Sequence, residues 1–93
     1  MKMKNYNVKA KEWQPLSDIM GQDYDHTKAY TVHANSIGIG FLCYLKTTET
    51  PDNSIRGKEL APFSDVAVAA DMGDNVYFKG SAVPVNVFIE AGE

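Results

Sequence analysis

The clearest period in the chain lies at residues 83–89, where Val83, Val85, Val87 and Ile89 alternate with Pro84, Asn86 and Phe88. A repeat of two places successive side chains on opposite faces, the pattern of a half-buried strand. A second strand is predicted over residues 75–79, with Gly80 and Ser81 as the turn of a closing hairpin. Pro84 has no amide hydrogen, and Phe88 is a large apolar group on the face expected to be wet. The last strand is therefore expected at a sheet edge, close to a contact with something else.

The same period recurs upstream. Residues 28–34 set Tyr30, Val32 and Ala34 against Ala29, Thr31 and His33. Residues 39–46 predict a central strand with Ile39, Phe41, Cys43 and Leu45 on one face, yet Leu42 and Tyr44 on the other are apolar too. Such a strand is covered on both faces, by its own chain or by a neighbour. Residues 12–16 predict a short first strand anchored by Trp13, and 17–20 a helical turn capped by Ser17 or Asp18. Asn35 and Gly38 suit a tight turn, and residues 47–54 a polar loop punctuated by Pro51, Asp52 and Asn53. Gly57 and Pro62 leave only a short or bent strand over 55–63, whereas 64–70 fits a strand or a helical turn. Six to eight short strands, and no helical period longer than ten residues, predict an all-β fold. The expectation is one small antiparallel sandwich or barrel over residues 12–93, preceded by an extended basic arm over 1–11.

Composition sharpens this picture in two places. Ninety-three residues make one domain with a thin core, so partner contacts matter to its stability. Net charge is −3, but Lys2, Lys4, Lys9 and Lys11 carry +4 within the first eleven residues, leaving −7 on the rest. That imbalance suits a solubilising terminus or a docking arm. Four lysines without arginine are a meagre footprint for nucleic acid, so none is expected as a partner. The longest apolar runs, FLCYL and VAVAA, are five residues, too short to span a membrane, and no apolar segment of a secretory signal follows the first lysines. The lone Cys43 permits no internal disulfide and reads as a small buried hydrophobe in a protein made in a reducing cytoplasm.

Little in the chain points to a reaction. Asp23, Asp25 and His26 crowd one loop and offer oxygen and imidazole ligands for a divalent cation, but without the spacing of a regular calcium loop. His26 and His33 are candidate general bases with no nucleophile placed beside them by the sequence. Asp65, Asp71 and Asp74 sit around turns, where they bond backbone amides. The glycines of GIGF at 38–41 lack the third glycine and following helix of a phosphate cradle. No catalytic residue, cofactor or metal is expected. The aromatics are a better lead. Tyr30, Phe41 and Phe78 are expected to fill the core, leaving Trp13, Tyr44, Tyr77 and Phe88 as a surplus suited to an interface, with Pro84 beside them.

The order of these features resembles small virion structural proteins of tailed bacteriophages. The resemblance spans roughly residues 12–90 and rests on Trp13; on Lys28 and Tyr30; on Gly57, Leu60 and Pro62; and on Asp74, Val76, Tyr77 and Lys79. It implies a non-enzymatic, oligomeric protein such as a trimer, assembled in the host cytoplasm into a virion, where it binds and stabilises the capsid lattice. Its partners would be the major capsid protein or other virion proteins, and the lysine arm would lie along an acidic capsid surface. Attachment to a tail or head fibre is the alternative within that family. Outside it stands a carbohydrate- or ligand-binding sandwich that stacks sugars on exposed Trp13, Tyr44 or Tyr77.

Overall fold

The computed structural model describes residues 3–34, 41–61 and 63–92. The predicted turn at Asn35 and Gly38, the start of the central strand at Ile39, Pro62 and the arm residue Lys2 lie outside them. Among the described residues the chain forms β1 (Met3–Val8), β2 (Gln14–Pro15), α1 (Leu16–Met20), β3 (Tyr30–Ala34), β4 (Leu42–Lys46), β5 (Lys58–Leu60), β6 (Asp65–Val68), β7 (Val76–Gly80) and β8 (Val85–Ala91). They make two four-stranded antiparallel sheets, ordered β1-β8-β3-β6 and β2-β7-β4-β5. The fold is an all-β sandwich, as expected.

The core follows from the alternation. Val85, Val87 and Ile89 of β8 lie opposite Val8, Tyr6 and Lys4 of β1 in register, and Val87 and Ile89 lie opposite Ala34 and Val32 of β3. Directly opposed residues of antiparallel strands share a face, so these form the inner layer of the first sheet, except for Lys4, which is exposed at its open end. Phe78, Val76 and Leu42 supply the facing layer of the second, and Leu16 and Met20 of α1 join the same cluster. Each of these apolar side chains, once buried, stabilises the fold by about 1.5–3 kcal/mol.

Four expectations are corrected. The last two strands do not pair as a hairpin. β7 lies in the second sheet and β8 in the first, so residues 80–84 carry the chain across the core. A Cβ at Gly80 would come within 2.2 Å of the Val83 carbonyl, so this crossing is closed tightly enough to require glycine. Nor is β8 an edge strand, because β1 and β3 flank it on either side. Pro84 precedes the first paired residue, Val85, so its missing amide costs no ladder bond.

Residues 3–8, expected in an arm outside the body, are instead β1, paired to β8 along its whole length. Beyond it, the Lys9 carbonyl accepts a bond from the Gly80 amide and the Lys11 amide donates to the Gly80 carbonyl, tying this segment to the second sheet as well. Finally, Phe41 is 43% exposed and not in the core. It precedes β4, and its amide and carbonyl are both held by Ser81 at the mouth of the crossing.

Candidate functional site

The surplus aromatics were the candidate site, and the chain itself covers most of them. Cys43 and Leu45 of β4 and Tyr77 of β7 point away from the main core, where Trp13 packs on them in a second buried cluster. Residues 47–57 strap this cluster down. The Trp13 indole N–H donates to the Ile55 carbonyl at 3.1 Å, and the Trp13 amide donates to the Asn53 side-chain oxygen at 3.0 Å. Lys79 lies beneath the strap with its ammonium 4.5 Å from the Trp13 ring centroid, donating to the carbonyls of Asn53 at 2.9 Å and Ile55 at 2.6 Å. A buried cation is tolerable when carbonyl dipoles and an aromatic face replace its water.

Gly57 ends the strap with φ 68°, and a Cβ there would lie 2.5 Å from the indole. Midway along it, Asp52 accepts from the Ser54 amide at 2.8 Å, a bond that holds its carboxyl below the usual range. Burial raises the Cys43 thiol, consistent with a packing role and against a reactive one.

Trp13 and Tyr77 are therefore buried, and Tyr44 is half-buried against the main core. They form no exposed sugar-stacking platform. Phe88, on the outer face of the first sheet, is half-buried with its ring 5.3 Å from that of His33. His33 Nδ1 lies 2.5 Å from Asp65, which ties β3 to β6 across that face, while Nε2, 3.5 Å from Glu90, is buried without a hydrogen bond. Pro84 is exposed at the crossing.

At the α1 end of the sandwich a cleft of about 1300 Å³ opens between β1 and the 21–28 loop. Asp23 there accepts from the Lys4 ammonium and the Tyr6 hydroxyl, both at 2.8 Å. Burial, reinforced by that carboxylate, pushes the Tyr6 phenol up to about 12. Asp25 is turned to its own loop, accepting from the amide and hydroxyl of Thr27. Asp23, Asp25 and His26 are thus not drawn together as a ligand set. Among the described residues no three His, Cys, Asp or Glu side chains are gathered closely enough to hold a metal. Of the arm lysines, Lys4 is engaged with Asp23 while Lys9 and Lys11 are exposed.

One residue that the sequence reading passed over stands out. Phe63 is 71% exposed and has φ 66°. Lys11 and Asp71 also adopt positive φ, but aspartate tolerates this region whereas a bulky aromatic rarely enters it. The conformation is fixed from both sides. The Phe63 amide donates to the Ala34 carbonyl at 2.7 Å, the Ala34 amide to the Ser64 carbonyl at 2.9 Å, and the Ser64 amide to the Ala61 carbonyl at 3.1 Å. A phenyl ring is thereby held out into solvent on a strained, well-braced backbone.

No family model, curated protein or solved structure matches this chain.

Proposed function

We propose that this chain is a non-enzymatic structural protein that works by seating itself against other protein subunits. The role is the one its resemblance to small virion structural proteins implies, an auxiliary protein that binds and stabilises a capsid lattice. Attachment within a tail or head fibre is the variant that the same resemblance leaves open. The observation that carries the reading is Phe63. A strained backbone that presents an aromatic ring to water is a cost in the isolated chain, and strain of this kind collects at active sites, ligand clamps and switch regions. Rigid aromatic anchors dominate the energetics of interfaces, because little freedom remains to be lost on binding.

The cover over Trp13 and Tyr77 favours the same reading. It removes the aromatic platform on which the carbohydrate-binding alternative relied. Exposed Lys9 and Lys11 lie beside the crossing at Gly80, where they would contact an acidic partner surface. The test is microscopy of intact particles carrying a labelled copy of the chain. Density for the label at regular positions on the head or tail supports the proposal, and particles without the chain overturn it.

A further inference from the structure

We propose that this protein associates head to tail with further copies of itself, Phe63 of one copy entering an apolar pocket at the far end of β6 in the next. The proposal rests on the assembly role above and names a partner for its anchor. The pocket has a volume of about 300 Å³, and Ala67, Val68, Ala69, Met72 and Val76 form much of its wall. Small side chains leave the space, and it opens to solvent with Thr31 and Lys46 also in its wall. A cavity of about 150 Å³ already accepts benzene, so a phenyl ring fits here. Met72, 39% exposed, contributes an adaptable side chain to the wall.

The anchor and the pocket belong to one chain, yet no chain can join its own. Phe63 precedes β6, and Ala67 to Ala69 lie at the other end of that strand. Each strand residue advances about 3.3 Å, so β6 holds the two more than 10 Å apart. Charge points the same way. Lys46 is the one charged residue lining the pocket among the described residues, and Asp65, paired with His33 yet 56% exposed, stands two positions from Phe63. A contact that joins two different surfaces is heterologous. It builds a ring if the rotation closes and a filament if it does not.

Analytical ultracentrifugation of two variants, alone and mixed, tests this. Phe63→Gly removes the anchor and keeps the pocket, whereas Ala69→Trp fills the pocket and keeps the anchor. The wild-type chain is expected to sediment faster as its concentration rises, and each variant to remain monomeric. An equimolar mixture of the two is expected to form dimers that grow no further, because each variant supplies the half that the other lacks. Circular dichroism checks that both are folded. Should Ala69→Trp fail to fold, Lys46→Glu on the exposed rim replaces it, with association expected to weaken about tenfold. Undiminished association of Phe63→Gly overturns the proposal, as does a mixture that stays monomeric. A wild-type chain that is monomeric at every soluble concentration also overturns it. That last result leaves the lattice-binding reading to stand or fall on the microscopy.

Discussion

Trp13 and Phe63 both lie in connections between strands, and the fold treats them in opposite ways. Trp13 is 5% exposed, with its indole N–H bonded, a lysine over its ring and a loop folded across it. Phe63 is 71% exposed on a left-handed backbone, with its ring left to solvent. The difference lies in what stands beside each residue. Trp13 meets the outward side chains of two neighbouring strands, Cys43 of β4 and Tyr77 of β7, and these make a floor wide enough for a strap to close over. Phe63 leads into β6, which is the edge strand of its sheet among the described residues. The aromatics in the connections are thus of two kinds, one covered by the chain itself and one, absent from the surplus counted in the sequence, left in solvent.

The comparison is broken most severely at Trp13. Trp13→Ala is expected to destabilise the fold by about 3 kcal/mol, through lost burial and loss of the aromatic face over the Lys79 ammonium. Urea unfolding followed by circular dichroism measures this, since the chain has no other tryptophan to report. Gly57→Ala attacks the same strap from its far end. A Cβ at 2.5 Å from the indole and a left-handed φ together predict a loss of about 2 kcal/mol, visible as a lower thermal midpoint and a shifted Trp13 emission.

At Phe63 the sign reverses. Phe63→Gly relieves the strain at φ 66° and is expected to stabilise the isolated chain by up to about 1 kcal/mol, after allowance for the freer unfolded state of glycine. Phe63→Ala keeps the strain, so it is expected to leave the midpoint nearly unchanged and impair association alone.

The smallest effect concerns the pH dependence of the strap. The Ser54 amide lowers the Asp52 carboxyl, so its contribution is complete above the usual carboxylate range and disappears as pH falls through the lowered value. Trp13 emission is expected to shift over that acid interval, and Asp52→Ala to show its shifted emission already at neutral pH.

Much of this fold was legible from its period-two segments. Tyr30, Val32 and Ala34, and likewise Val85, Val87 and Ile89, face the core as their alternation requires. The double apolar pattern of Leu42, Cys43 and Tyr44 correctly marked a strand covered on both faces. Its cover was not legible, because the strap is held by the backbone carbonyls of Asn53 and Ile55, which no side-chain pattern encodes. Strand partners were hidden for a related reason. Alternation in β7 and β8 is the same whether they pair with each other or with strands of opposite sheets, so the crossing at residues 80–84 resembled a hairpin turn. β1 was missed because a lysine, Lys4, occupies an inward position of its Lys4-Tyr6-Val8 face, where it reaches Asp23. The conformation of Phe63 left no trace in the sequence, since phenylalanine is among the residues least expected at positive φ.

The central claim is that Phe63 costs the isolated chain stability and supplies its association. Thermal unfolding and sedimentation of Phe63→Gly, measured side by side with wild type, test both halves at once. The account predicts a midpoint at or above that of wild type together with loss of the faster-sedimenting species. A lower midpoint, or association equal to that of wild type, would contradict it.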